Sequence, residues 1–321
     1  MFKIGIIGLG TMGKLMLESM VNHPQFIVVG GWDTSKEACE IASKMVPNLP
    51  ITKTAEFLLQ GYDIDCVYIA TPPSTHAHYA ELASNLGLSI LCEKPLGVDL
   101  SSSQHLVSLV NDLNIPNAVN FTLMNSPLVS WLRSELIQNN GGEIQAIEIR
   151  HSFNEWPRKW QGGASEWLSR PQEGGFIREV FSHFVFMMQN IWGNLSIQSL
   201  DIVFGESELS ETELFGVLLT ESGIKVSIVA GTGRCAPELN EMTIYGTSAS
   251  YRYVNWSEVF VTHGADWKPV LEKNLPPVNR QLDEIALWLE SGSANLASFD
   301  DANQVQLFIE EMLEKLKVSH C

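Results

Sequence analysis

Three glycines near the amino terminus constrain this chain more than any other feature. Gly8-Leu9-Gly10-Thr11-Met12-Gly13 directly follows the apolar run 2–7 and opens a stretch whose Leu15, Met16 and Leu17 continue as a helix. In a strand-to-helix turn of this kind Gly8 makes the tight turn and Gly10 lets a pyrophosphate approach the backbone. Gly13 allows the helix to pack closely on the strand. The helix amino terminus, with Thr11 and Met12 in its first turn, attracts the phosphate charge. Asp33 ends the next apolar run, about 20 residues beyond Gly13, where a carboxylate accepts hydrogen bonds from a ribose 2′-hydroxyl. This predicts NAD. NADP stays open, because Thr34, Ser35 and Lys36 follow at once and would bind a 2′-phosphate if Asp33 turned away.

The pattern around the glycines supports a doubly wound sheet. Apolar runs at 2–7, 26–31, 66–70, 89–92 and 118–121 read as strands, separated by helical patterns at 11–22, 36–45, 74–86 and 101–113. Alternation at this spacing predicts an α/β Rossmann domain with a parallel sheet and helices on both faces. After a helix at 127–139, the Asn139-Asn140-Gly141-Gly142 turn opens a strand at 143–150 with one wet face. Further strands are expected at 197–204, 212–220, 224–230 and 241–246, with one apolar helix at 176–192 covering them. The second half is therefore expected to be α+β with an open, mostly antiparallel sheet. Residues 1–122 form the expected dinucleotide-binding domain and 123–321 the substrate and oligomerisation domain. Val305, Phe308, Ile309, Met312, Leu313 and Leu316 define a last helix at 302–317, expected to pack back on the first domain.

Composition narrows the partners. With 321 residues, two domains are the default expectation. A net charge of −17 argues against nucleic acid or an anionic membrane, which need neutralising Lys and Arg. The 5 cysteines (Cys39, Cys66, Cys92, Cys235 and Cys321) are scattered and form no C-x-x-C pair, so neither a disulfide framework nor a metal site is expected. No signal peptide and no 18-residue apolar span is apparent, which predicts a cytoplasmic, soluble protein.

Two further segments carry a resemblance. Ala70-Thr71-Pro72-Pro73-Ser74-Thr75-His76 is followed by Cys92-Glu93-Lys94-Pro95-Leu96, and later by Gly174-Gly175 leading to His183, and by a Gly246-Thr247 turn after a strand. Together with the opening glycines, this pattern resembles the Gfo/Idh/MocA family of oxidoreductases along nearly the whole chain. The resemblance implies that Thr71, Pro72 and Pro73 border the cofactor, as do His76 and Glu93. It also implies that Lys94 reaches substrate and nicotinamide, with a cis bond to Pro95. An ammonium there would stabilise charge developing on a reacting oxygen. His183 is implied as the general acid/base, with Glu179 hydrogen-bonding a substrate hydroxyl or His183 itself. Four residues apart on a helix, the two are expected to share one face.

The chain also departs from the family pattern. Glu179 replaces the usual aspartate, Phe181 stands where glycine is frequent, and Phe186 stands where many polyol-oxidising relatives have a second acid. The segment 120–127 lacks an arginine that many relatives carry there. Fewer polar groups mean fewer substrate hydroxyls held, so an ordinary sugar or inositol is not assured. Asn120, Met124, Trp160 and Arg178 are candidate substrate contacts. Arg178 would bind a carboxylate or cofactor phosphate, or would simply pair with an acid. Trp156, Trp160 and Trp167 would stack on substrate or merely pack a long loop.

The expected activity is hydride transfer between the nicotinamide and a hydroxyl/carbonyl carbon of a small polar molecule, in a homodimer or homotetramer formed through the second sheet. An NAD-retaining lyase or hydrolase acting through transient oxidation, and a catalytically silent dinucleotide sensor, are the alternatives.

Overall fold

A computed structural model describes residues 1–206, 208–275 and 280–314 of the chain. They group into two compact units, 1–121 with 281–306, and 122–280 with the residues from Leu307 onward.

The first unit follows the predicted alternation. It runs β1 (Phe2–Ile7), α1 (Thr11–Val21), β2 (Phe26–Trp32), α2 (Lys36–Met45), α3 (Ala55–Gly61), β3 (Cys66–Ile69), α4 (His76–Ser84), β4 (Ser89–Cys92), α5 (Leu100–Asp112) and β5 (Asn117–Val119). The strands form one sheet of order β2-β1-β3-β4-β5, parallel throughout. All four residues of β3 are buried, as expected of a strand covered on both faces. The strand order reverses between β1 and β3, and open α/β sheets bind ligands outside the carboxyl ends of the strands at such a reversal. The glycine turn leaves β1 at that place.

Two local readings needed revision. Helix α3 was not foreseen, since seven residues are too few to establish a helical period. It is marked instead by its cap, where Thr54 Oγ1 accepts from Phe57 N at 3.1 Å. Strand β5 ends two residues earlier than expected, after Val119 N donates to Ala297 O at 2.8 Å.

The second unit contains α6 (Pro127–Ile137), β6 (Ile144–Ser152), α7 (Ser165–Leu168), α8 (Ser182–Trp192), β7 (Leu195–Phe204), β8 (Glu211–Thr220), β9 (Lys225–Gly231), β10 (Leu239–Gly246), β11 (Ser250–Val254), β12 (Glu258–Thr262) and β13 (Lys268–Pro269). Its sheet has the order β13-β12-β11-β10-β6-β9-β8-β7, antiparallel except for the β6–β9 pair. The sheet is thus open and mostly antiparallel, as expected, though β11 to β13 extend it beyond the strands foreseen. Ile147, Ile149, Leu214, Leu218, Val226, Ile228, Met242 and Ile244 alternate onto the buried face, and α8 packs over β7 and β8. On the other face Phe215 and Val229, directly paired, are 39% and 42% exposed.

The helix expected over 176–192 is not uniform. Ile177–Phe181 form a π-helical turn, with Ser182 N donating to Ile177 O, and the α-helix begins only at Ser182. Glu179 lies inside this π-turn and His183 in the α-helix that follows it, so the four-residue spacing between them is not that of an uninterrupted α-helix.

The chain returns through α9 (Gln281–Ser291) and α10 (Phe299–Glu314). Ile285, Ala286 and Trp288 join the core of the first unit with Ile4, Ile6, Tyr68 and Leu91. Val305, Phe308, Ile309, Met312 and Leu313 are buried on α10, which starts three residues before the expected 302; Leu316 lies outside the described residues. The helix up to Gln306 groups with the first unit, and from Leu307 with the second.

Candidate active site

The three glycines of the first turn differ in what surrounds them. Gly8 has φ +95°, and a Cβ there would lie 2.5 Å from the backbone of Ala70. A Cβ on Gly13 would lie 1.9 Å from Gly8 O. A Cβ on Gly10 would meet nothing within 4 Å. Gly8 and Gly13 are therefore required by the protein's own packing, whereas Gly10 leaves open space above the first turn of α1. No side chain caps that helix, so its leading N–H groups keep their capacity for an outside acceptor. Thr11 and Met12 are half-buried in that turn.

Asp33 closes the other side. Its Oδ2 accepts from Leu9 N at 2.6 Å and its Oδ1 from Ser35 N at 2.7 Å, which ties the end of β2 to the glycine turn. Oδ1 also accepts from Thr34 Oγ1 at 3.5 Å, and Oδ2 retains a further lone pair. Thr34 is exposed beside it. A dinucleotide fits this set: an uncapped helix terminus, one glycine with open space, and an acid fixed at the strand end. Among the described residues no group of three or more His, Cys, Asp or Glu is arranged to hold a metal ion.

The Thr-Pro segment is braced from beneath. Thr71 is half-buried, Pro72 exposed and Pro73 buried, and Thr75 Oγ1 donates to Thr71 Oγ1 at 2.8 Å. His76 is completely buried, with Nε2 2.8 Å from Thr71 O and Nδ1 2.9 Å from Pro95 O. Burial lowers its basicity, so one of these contacts lacks a proton when the ring is neutral. His76 was expected to border the cofactor; with both nitrogens on backbone carbonyls it instead joins the Thr-Pro loop to the loop after β4. The Lys94–Pro95 bond in that loop is cis, as the resemblance implied, and Lys94 is half-buried.

Glu93 and Asn120, expected at cofactor and substrate, belong to an internal network. Tyr68 Oη donates to Glu93 Oε1, Asn120 Nδ2 donates to the same oxygen at 2.6 Å, and Gln281 Nε2 donates to Asn120 Oδ1. All of Tyr68, Glu93 and Asn120 are buried. Both ends of the Asn120 amide are thus engaged inside the first unit, which leaves this side chain poorly placed to read a substrate.

In the second unit His183 is 8% exposed at the start of α8 and lies edge to face with Trp256, with ring centroids 5.5 Å apart. Glu179 is half-buried within the π-turn. Arg178 is seen in the acid-pairing alternative, buried and not at the surface. Its Nε and Nη2 each donate at 2.7 Å to the two carboxylate oxygens of Glu310, and Nη1 donates to Pro171 O and Gly174 O. The guanidinium is held by a buried bidentate pair and two carbonyls and anchors α10. Met124 is 3% exposed in the turn before α6.

The tryptophan loop divides. Trp156 packs, its Nε1 donating to Leu168 O at 3.1 Å and its ring against Phe153 and Phe176. Trp160 is 58% exposed, with the Arg158 guanidinium 4.7 Å from its ring centroid. The loop-packing reading therefore fits Trp156, whereas Trp160 is exposed and Trp167 half-buried.

Residues absent from the sequence reading are Tyr68, Trp256 and Glu211. Glu211 is 1% exposed, and its Oε1 accepts from Ile177 N at 2.7 Å. None of the three lies in a motif; Trp256 is signalled only by its place after Asn255 in a hairpin.

Residues 2–121 match the Gfo/Idh/MocA oxidoreductase family, NAD-binding Rossmann fold. The chain is 27% identical over 209 residues to oxidoreductase P35 of Formosa agariphila, an alignment that spans 63% of this chain and 63% of that protein. It is 23% identical over 286 residues to inositol 2-dehydrogenase of Rhizobium meliloti, spanning 87% of this chain and 78% of that one. The solved structure of levoglucosan dehydrogenase in complex with NADH has the same fold, with a TM-score of 0.85 at 20% identity over 99% of this chain and 97% of that one.

Proposed function

Since this chain belongs, through residues 2–121, to the Gfo/Idh/MocA family of NAD-binding oxidoreductases, we propose that it is an NAD(P)-dependent dehydrogenase or reductase acting on a CH–OH group of a small, sugar-like molecule. The observation that carries this reading is the dinucleotide cradle: open space at Gly10, close packing at Gly8 and Gly13, and Asp33 fixed by Leu9 and Ser35. Relatives named inositol 2-dehydrogenase, levoglucosan dehydrogenase and 1,5-anhydro-D-fructose reductase support the substrate class.

In this reading the bound nicotinamide supplies hydride acceptance and donation. His183 takes the hydroxyl proton as a carbonyl forms and returns it in the reverse direction, a task suited to imidazole near neutral pH. The Lys94 ammonium stabilises negative charge on the reacting oxygen. Glu179 hydrogen-bonds a substrate hydroxyl, and Trp160 offers an aromatic face. Thr71, Pro72 and Pro73 border the cofactor, and Asp33 favours NAD over NADP because a carboxylate repels a 2′-phosphate.

The test is a turnover screen with NAD and NADP against polyols, sugar acids, amino sugars and cyclic imines. His183→Ala should lower turnover by on the order of 10²–10⁴-fold with dinucleotide affinity retained. Unchanged turnover would remove His183 from the mechanism. The exposed Phe215–Val229 pair on the outer face of the second sheet supports a homodimer or homotetramer formed there, read by light scattering. Among the described residues no helix is long and apolar enough to cross a membrane, and the scattered cysteines support a cytoplasmic location.

A further inference from the structure

The turn that starts the His183 segment is built around a carboxyl group from another element. Gly174 and Gly175 precede it, and each has no room for a side chain. A Cβ on Gly174 would lie 2.2 Å from Leu168 O, and one on Gly175, at φ +94°, would lie 2.2 Å from a carboxylate oxygen of Glu211. Glu211, the first residue of β8, is buried to 1% exposure. The glycine pair thus makes room for a buried acid against the backbone.

That acid holds one peptide group. Glu211 Oε1 accepts from Ile177 N at 2.7 Å, satisfying one of the amides that every helix leaves without an internal partner at its start. The carbonyl of the same residue, Ile177, receives the Ser182 amide that defines the π-turn. Ile177 is therefore the pivot of the turn, fixed on its N–H side by Glu211 and on its C=O side by the helix. Glu179 lies two residues beyond this pivot and His183 six. Arg178, adjacent to the pivot, is locked by Glu310 and by the carbonyls of Pro171 and Gly174.

We propose that Glu211 is a positioning residue: by accepting from the Ile177 amide it sets the phase of the π-turn, and hence the direction in which Glu179 and His183 are presented. This rests on the reading of His183 as the proton-transfer residue. The requirement is for an acceptor oxygen and not for a charge. Burial raises the Glu211 carboxyl to about 7, with Arg178 lowering it and Glu310 raising it, so the neutral acid is well populated near neutrality and still accepts through its carbonyl oxygen. An amide should then replace it, and an apolar side chain of the same length should not.

The experiment compares Glu211→Gln with Glu211→Met, the latter keeping the volume of the buried site without an oxygen. In Glu211→Met the amides of 174–183 should exchange hydrogen at least tenfold faster than in the wild type. Its kcat should fall at least tenfold on whichever substrate the screen identifies, with dinucleotide affinity unchanged. Glu211→Gln should restore both properties to within about threefold. The proposal is overturned if Glu211→Met exchanges and turns over like the wild type, or if Glu211→Gln falls as far as Glu211→Met. Should His183→Ala remain fully active, the catalytic reading fails by itself. Hydrogen exchange then still decides whether Glu211 holds the turn.

Discussion

His183 and Trp256 meet edge to face, with ring centroids 5.5 Å apart and ring planes at 75°. Trp256 reaches this position from an unfavourable backbone: Asn255 and Trp256 occupy the β11–β12 hairpin turn with φ of +46° and +68°, a region that a bulky side chain rarely adopts. Asn255 Oδ1 accepts from Asn240 N at 3.0 Å and Asn255 N donates to Asn240 O at 2.8 Å, which holds the turn in place. Trp256→Ala should therefore lower kcat by about 3- to 10-fold, the equivalent of one lost aromatic pair. Dinucleotide affinity should not change. Steady-state kinetics with direct cofactor titration tests this, and an unaltered kcat would show that the indole does not orient His183.

The glycine turn gives a prediction in which three similar substitutions have different outcomes. Gly8→Ala and Gly13→Ala place a methyl at 2.5 and 1.9 Å from backbone atoms, so both should lower Tm, by 5 °C or more for a loss of a few kcal/mol. Gly10→Ala meets nothing within 4 Å in the protein itself, so its Tm without ligand should stay within about 2 °C of the wild type. Its dinucleotide affinity should nonetheless fall at least tenfold, because the methyl occupies the space left for the pyrophosphate. Thermal denaturation with and without NADH separates these effects. A Gly10→Ala protein with wild-type affinity would refute the cradle.

Much of the fold was legible because its signals are local. The strand ahead of Gly8, the glycine spacing and the position of Asp33 all follow from one strand-to-helix turn. The antiparallel second sheet likewise rests on short segments, whereas the cis Lys94–Pro95 bond was implied by the family resemblance alone. Contacts made at long range were not legible. Arg178 reads as a possible anion site until Glu310, 132 residues away, takes its guanidinium. Asn120 reads as a substrate residue until Glu93 and Gln281 consume its amide. The π-turn between Glu179 and His183 was missed for a different reason. A π-turn leaves little mark in a segment such as Phe176–Phe186, because every residue there except the half-buried Glu179 is buried, and burial does not report the helix phase.

Asp33 makes the next prediction. Its carboxylate has a structural task, holding Leu9 N and Ser35 N, and a proposed binding task at the ribose. Asp33→Ala loses both, whereas Asp33→Asn keeps one acceptor oxygen and removes the charge. Asp33→Asn should therefore retain most of the wild-type Tm while its preference for NAD over NADP falls at least fivefold. Asp33→Ala should lose Tm as well. Parallel kcat/KM measurements with the two cofactors test this, and an unchanged preference in both variants would mean that Asp33 does not read the 2′ position.

The last prediction concerns pH and two buried groups with opposite shifts. Burial among Phe153, Phe181 and Phe184 pushes the His151 imidazole down to about 3, and burial against the Gly175 turn pushes the Glu211 carboxyl up to about 7. Unfolded, the same groups titrate at about 6.5 and 4.3. Between about 3 and 6.5 the unfolded chain holds a proton on residue 151 that the native protein lacks, so acid destabilises the fold through His151. Between about 4.3 and 7 the native protein holds the proton on Glu211 that the unfolded chain has lost, so stability falls as pH rises through that window. The two slopes oppose one another from about 4.3 to 6.5 and separate outside it. Relative to the wild type, His151→Phe should gain stability progressively as pH falls below about 6.5, most clearly at pH 4. Glu211→Gln lacks the Glu211 contribution, so its stability relative to the wild type should rise as pH increases from about 4.3 to 7. Urea denaturation of the three proteins from pH 4 to 8 reads both differences. A His151→Phe protein with the wild-type acid slope would mean that this imidazole is protonated within the fold, which burial among three phenyl rings opposes.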